Sequence, residues 1–406
     1  MHHRLICVLL AALMPFLLAA PVFAQEGAPA LPVLCGDLPG EDCAILEEAT
    51  LAAQDLSSYA MDMTLDFSMA GIPDLPADPL AFSINFGGRF AFDETGQAVI
   101  ERMSLLQTAA AEADMQALLE EMPDMVVDLY RGMNFDMTMT YMLPPELAAA
   151  LSDDSDVAFP EEMSFDMRMI DGMMYINIGQ LRDLIPEGED DGSITSDWIG
   201  MDYAGMIEMQ MESGAGEMDE AMMAGVAGGL AWVQLLQQMQ EYVAVERLAD
   251  VEIDGRQAAV FTYTPDVIGF LSSDAFVEMM RELGAMAGEA GASEAELEEA
   301  ATMISFVAPM IFRDLEVGAS TTIGLEDYMT YSTEFRFFWD LASLMQFAAM
   351  TDPALAESMG DAEPLIELNA AVDMSDFNAE MEFAVPDDVQ IIPLEELMPV
   401  DTSTVS

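Results

Sequence analysis

YVAVERLADVEIDGRQAAVFTYTP, residues 242–265, is the stretch on which the reading of this chain turns. Two β-rich runs flank Asp254-Gly255, and a D-G pair between alternating strands is the strongest short-range signal for a hairpin. The strand leaving the turn, Ala258–Thr264, runs straight into VIGFLSSDAFVEMMRELG, whose pattern predicts helix.

The same signals recur on both sides of it. Ala44–Ser58 predicts an amphipathic helix with Ile45, Ala49, Ala52, Ala53 and Leu56 along one stripe. The period then changes from 3.6 to 2: from Met61 to Met69 every odd residue is apolar and every even one polar, a strand with one buried face. Past a proline-rich loop (72–79), Phe82, Ile84 and Phe86 share a face, Gly87-Gly88 suggests a bulge, and Phe90 and Phe92 continue. A turn at Asp93–Gly96 is expected to return the chain through Ala98–Leu106, with helix over 108–121. Met133–Tyr141 alternates without error, and a polar excursion bounded by prolines (144–162) leads to a second alternating run, Met163–Met169. Asp171-Gly172 then gives a second D-G turn into MMYINI, followed by a short helix at 179–185 and a strand opening at Trp198. Beyond the central hairpin the pattern predicts helices near 274–288 and 293–306, strands near 312–322 and 328–339, and a helix over 341–350. Last come strands over 365–372 and 380–385.

The first 24 residues have Arg4 near the amino end, an apolar run and Val22-Phe23-Ala24 before Gln25, the pattern of a secretory signal peptide. No cysteine stands where a lipid anchor would need one. The chain is therefore expected to be secreted or periplasmic and not lipid-anchored. Cys35 and Cys43 flank a Pro-Gly turn, which in an exported protein predicts one disulfide closing a small loop. A redox or metal pair would want C-x-x-C spacing or further ligands. Residues 221–240 are uncharged and carry Gly225 and Gly229 in G-x-x-x-G spacing, as a membrane span would. Three glycines, four glutamines and acidic flanks favour a buried or lid helix instead.

Charge narrows the chemistry. The chain has 75 acidic residues against 11 basic ones, all of them arginine. Loss of Arg4 with the signal leaves 10 − 75 = −65, and both histidines leave with it. Without histidine or lysine, Ser-His-Asp and Cys-His nucleophiles, Walker-A sites, Schiff bases and His-rich zinc sites are all excluded. Carboxylate chemistry survives, but the clean strands place no acid on their apolar side and no aspartic-protease phrase is present. No cofactor and no metal site is predicted, and the chain is read as non-catalytic. So large a negative charge also repels nucleic acid and anionic headgroups. With 52% hydrophobic residues, this is a globular body with an acidic skin.

Three stretches resemble the bacterial lipoprotein-carrier superfamily of LolA-like and LppX/LprG-like half-barrels. They are the hairpin strand "D-G-x-x-A-x-x-F" that feeds a helix, the helix ending "A-x-D-L-S-S-Y" that drops into an alternating strand, and the closing "D-F-N-x-x-x-x-F-x-x-P-x-D". The resemblance implies an α+β fold: a strongly curved antiparallel sheet with helices covering its concave face. It divides the chain into a signal peptide (1–24), an N-terminal loop with the disulfide (25–43), a single half-barrel domain with helical insertions (44–399) and a tail (400–406). It implies a lipid or other apolar ligand as partner, and no stable membrane span in the mature chain. The expected ligand-binding residues are the inward members of the alternating strands: Met63, Phe67, Phe82, Phe86, Met137, Met139 and Phe165.

The 38 methionines fit more than one role. They can fill a core beside Leu65 and Phe135, or line a cavity that adapts to flexible apolar guests. As M-x-M pairs (Met61/Met63, Met137/Met139, Met167/Met169) they can also offer soft donors to Cu(I). A structural domain filled by its own side chains, a Cu(I) protein and a carboxylate hydrolase therefore stand beside the lipid-binding reading.

Overall fold

A computed structural model of the chain describes residues 33–72, 78–108, 112–155, 158–182, 195–212, 239–277, 294–351 and 364–393. The expected signal peptide over 1–24, nearly all of the uncharged stretch 221–240, the expected helix beyond Val277 and the 400–406 tail lie outside the described residues. Among the described residues no helix is long and apolar enough to cross a membrane.

The chain opens with α1 (Gly40–Gln54), β1 (Ser58–Ala70), β2 (Leu80–Phe92), α2 (Glu94–Thr108), α3 (Glu112–Gly132), β3 (Met133–Met142) and α4 (Pro145–Ser155). It continues through β4 (Glu162–Ile170), β5 (Met173–Asn177), α5 (Gly179–Arg182), β6 (Trp198–Asp202), α6 (Tyr203–Glu212), β7 (Val243–Arg247), β8 (Val251–Ile253) and β9 (Arg256–Pro265). Then come α7 (Val267–Leu271), α8 (Glu294–Ile311), β10 (Leu315–Gly324), β11 (Thr330–Asp340), α9 (Ala342–Thr351), β12 (Leu365–Ser375) and β13 (Val389–Ile391). All thirteen strands form one curved, unclosed sheet in the order β13-β6-β5-β4-β3-β2-β1-β12-β11-β10-β9-β7, with β8 also on β9. The pairings are antiparallel except β13 on β6, which is parallel. The fold is the expected α+β half-barrel.

Both D-G pairs do what their residue types allow. Asp171 and Gly172 have φ of 51° and 80°, and Asp254 and Gly255 have 51° and 81°. Two successive positive φ values define the tight turn whose twist matches the flanking strands. Each joins directly paired residues, Ile170 to Met173 and Ile253 to Arg256, so each locks the register of its hairpin.

Three helices cover the apolar side of the sheet. Leu46 and Ala49 of α1 pack on Ala259, Phe261 and Ile323. Leu129 and Tyr130 of α3 pack against the cluster of Phe90, Phe92, Phe135 and Met169. Leu147 and Leu151 of α4 close over Phe67, Met69 and Leu80.

Four local expectations are corrected. Ala98–Leu106 is not a returning strand but lies in α2, because Asp93 caps a helix: its Oδ1 accepts from the amides of Thr95 (2.8 Å) and Gly96 (2.9 Å). Asp at a turn and Asp at an N-cap look alike in sequence. The excursion 144–162 contains α4, started by Pro145 in its first turn, where the missing N–H costs nothing. No bulge occurs at Gly87-Gly88; β2 stays in register with β1 and β3 through both, and Phe86, Gly88 and Phe90 keep one parity. Finally, 380–385 is not a strand. It is part of a strap crossing the polar side of the sheet from β12 to β6. At its start the Ser58 hydroxyl donates to the Ala379 carbonyl (2.6 Å). Midway Arg168 donates to the Ala384 carbonyl (2.9 Å), and Phe383 lies 5.7 Å from the Arg89 guanidinium. The strap ends as β13, whose Val389 and Ile391 side chains sit over Gly200, where a Cβ would come within 2.6 Å of Ile391 Cδ1. Its alternation marks which side chains face the sheet; no strand edge is free along its path.

Cys35 and Cys43 are joined, as expected, across a separation of 8 residues. The bridged loop lies on the edge strand β7: Gly36 approaches Val243 and Val245, and Arg247 is ion-paired with both Asp42 and Asp250. Cross-linking a loop this short removes about 2.5 kcal/mol of chain entropy from the unfolded state. Urea unfolding with and without reductant should therefore differ by about 2–3 kcal/mol, and a Cys35→Ala/Cys43→Ala variant should match the reduced protein. Equal stability in both would mean that the loop adds nothing to the fold.

Candidate functional site: the apolar face of the sheet

Register converts each strand's parity into a face of the whole sheet. Met63 of β1 stands opposite Val372 and Phe86; Phe86 stands opposite Met139, and Met139 opposite Phe165. The next row along the strands runs Met61, Gly88, Met137, Met167, Ile176, Ile199. On the other flank the same face continues through Leu368 and Ala370 to Phe337 and Phe335. The strand carboxylates Asp62, Asp66, Asp136, Asp166, Glu334 and Asp373 have the opposite parity and lie on the other side.

The structure thus places Met63, Phe86, Met139 and Phe165 in a single row across four adjacent strands, with Met137 beside Met139. Phe67 and Phe82 form a directly opposed pair further along, their rings 5.0 Å apart. Burial divides these seven. Met63, Phe67 and Phe86 are 5%, 8% and 8% exposed and belong to closed core. Phe82, Met137, Met139 and Phe165 are only half-buried. So are their neighbours Tyr141, Met163 and Met167, so the face is half-buried over β3 and β4, as it also is over β11 and β12 at Phe335, Phe337, Leu368 and Ala370. Tyr141 meets Phe165 edge-on, centroids 5.6 Å apart, and burial raises its pKa above the ordinary phenol value. Tyr141, Met163 and Met167 share this half-buried face but were not among the expected ligand-binding residues, although the parity of their strands was read correctly. The missing signal was tertiary: sequence parity does not say where the covering helices stop.

Seen as metal chemistry, register sets Met137 directly opposite Met167, with Met139 on the same face. The group Cys35, Cys43 and Glu47 brings potential ligands together, but its sulfurs are joined and offer no thiolate. On the polar side, Asp136 bridges Arg89 (3.0 Å) and Arg168 (3.4 Å), and Arg168 also lies 5.2 Å over the Trp198 ring. That network anchors the strap.

The class of protein defined by these features is an α+β half-barrel that presents one apolar face, part closed and part open to solvent. No family model matches the sequence, and no curated protein matches it. Among solved structures, the chain is similar to the Mycobacterium tuberculosis lipoprotein LppX at 10% identity and a TM-score of 0.25, over 84% of this chain and 97% of that one. It is likewise similar to LprF from Mycobacterium bovis at 9% identity and a TM-score of 0.30, over 86% and 98% of the two chains. Scores this low carry no argument about ligand or activity, and none is drawn from them.

The difference in burial has a measurable consequence. Met63→Asp would put a carboxylate into closed core and should cost roughly 3 kcal/mol or more, or prevent folding. Met139→Asp, in the same row but at a half-buried position, should cost about 1 kcal/mol. Urea unfolding compares them directly; equal losses would show that the row is closed along its whole length.

Proposed function

We propose that the mature chain, following a signal peptide over 1–24, is a non-catalytic binding protein for a lipid or similarly apolar ligand. It acts outside the cytoplasmic membrane without a lipid anchor, through a single domain over 44–399. The ligand lies along β3 and β4 of the apolar face, against Met137, Met139, Phe165 and Phe82, with Met163 and Met167 extending the surface. Met63, Phe67 and Phe86 form the packed floor beside it. The single observation that supports this reading is the half-burial of those β3 and β4 side chains. They form a contiguous apolar patch, while the carboxylates Asp62, Asp66, Asp136, Asp166, Glu334 and Asp373 lie on the other side of the sheet. Half-buried apolar side chains gathered on one face offer a surface to an apolar partner.

Methionine suits such a surface, because an unbranched, polarizable thioether adapts its shape to a flexible guest. The net charge of −64, or −65 once Arg4 is lost, argues against nucleic acid and anionic membranes as partners. The close packing of Met63, Phe67 and Phe86 is the observation that favours the second reading, a domain filled by its own side chains.

Organic extraction and mass spectrometry of residues 25–406, exported by a membrane-containing host and purified without detergent, separates the two. Stoichiometric acyl lipid is expected, and it should be lost when Met137→Trp and Met139→Trp fill the patch. Protein free of lipid that also fails to bind an apolar dye would leave the filled domain as the answer.

A further inference from the structure

A second concavity lies on the opposite side of the sheet. It is an open groove of about 390 Å³ over β1, β12, β11, β10 and β9, lined by polar-face residues. Register orders its walls. Asp66, Asn369 and Arg336 stand in one row, and Gly318 fills the next place beside Arg336. Glu334 and Ser320 lie opposite each other in the adjacent row, and Thr64 belongs to that row too.

Arg336 is exceptional among the described arginines. Each of the others sits beside a carboxylate, as expected in a chain with 75 acids and no lysine. Arg336 has an amide on one side and a glycine on the other, and among the described residues no carboxylate is paired with it. Glu334 shares its strand and face two positions away, which separates the two stems by about 7 Å. Long side chains can bridge such a gap, yet among the described residues no ion pair joins these two, so their charged ends stand apart with room for a small molecule between them.

We propose that this groove binds a small zwitterion carrying an oxyanion and an ammonium group, of which a free amino acid is the simplest form. Arg336 takes the oxyanion through its two-pronged guanidinium, the geometry that matches a carboxylate. Glu334 takes the ammonium, with Asp66, whose Oδ1 already accepts from the Ser83 hydroxyl, adding negative charge at the end of the row. Thr64, Ser320 and Asn369 supply hydroxyls and an amide to orient the ligand. Gly318 leaves the place beside Arg336 without a side chain. Charge selects the class. The groove's ionised groups, two carboxylates and one guanidinium, are net negative within a strongly negative molecule, so a simple anion is repelled. A simple cation leaves the guanidinium unmatched. A neutral zwitterion satisfies both ends and feels no net repulsion. A volume of this size is within the range of small-molecule sites.

The test is calorimetric titration of the mature protein with glycine, β-alanine and γ-aminobutyrate, whose charges are progressively further apart. Acetate and methylamine serve as single-charge controls. At least one zwitterion is expected to bind with Kd below about 1 mM, and both controls at least tenfold more weakly. Arg336→Gln and Glu334→Gln should each weaken binding tenfold or more. Both positions are exposed, and unchanged urea unfolding will confirm that the variants fold. The Met137→Trp/Met139→Trp variant should bind the zwitterion normally, so failure of the lipid reading and failure of this one are distinguishable. Absence of binding by all three zwitterions at about 10 mM overturns the proposal. So does binding that survives Arg336→Gln, or acetate binding as tightly as the zwitterions.

Discussion

Everything in this molecule depends on strict period-2 segregation of apolar and polar side chains, held in register across one wide sheet. Side chains alternate between faces, so a slip of one residue in any pairing would exchange the two chemistries along the whole strand. Register is fixed where it matters by short connections with no slack. The Asp171-Gly172 and Asp254-Gly255 turns leave no residue to spare between their strands. The unbroken β1–β2–β3 ladder shows the result: Met63, Phe86 and Met139 line up with no bulge between them.

That segregation is also why much of the fold was legible in the sequence. The runs Met61–Met69, Met133–Tyr141 and Met163–Met169 spell out their own faces, and both D-G pairs announce their hairpins. Where sequence reading failed, two structures share one local signal. Asp93 reads as a turn residue and acts as a helix cap. Pro145 reads as the border of a loop and starts a helix. The stretch 380–385 alternates because its side chains face a sheet it crosses, without joining the ladder. The candidate site was legible only as a face. Parity placed Met63 and Met139 in one set, but their different burial depends on what packs over each of them, and no strand's own sequence encodes that.

The excess of acid acts on one side of this design. Carboxylates such as Asp62, Asp66, Asp136 and Asp166 occupy the polar parity of the strands, where arginine is the counter-cation in a chain without lysine. Arginine's planar fork lets one side chain serve several partners, which a lysine ammonium does less well. Arg168 does so, pairing with Asp136, donating to the Ala384 carbonyl and lying over Trp198. One cation thereby joins β3, β4, β6 and the strap. Scarce positive charge spent on such joints makes an arginine left unpaired in a groove informative.

Methionine plays the corresponding part on the other side. Leucine or phenylalanine would satisfy the same parity, and the closed region mixes them with methionine, at Leu65, Phe67 and Phe86 beside Met61, Met63 and Met69. Over β3 and β4 the half-buried positions of the same face are Met137, Met139, Met163 and Met167, with Tyr141 and Phe165 among them. A closed core is best filled by side chains of defined shape. A face whose neighbour is sometimes solvent and sometimes a guest gains from side chains that rearrange without strain, and the thioether chain is the most adaptable apolar one available. Methionine therefore serves both regions of the face, as closed core at Met61, Met63 and Met169 and as half-buried surface at Met137, Met139, Met163 and Met167.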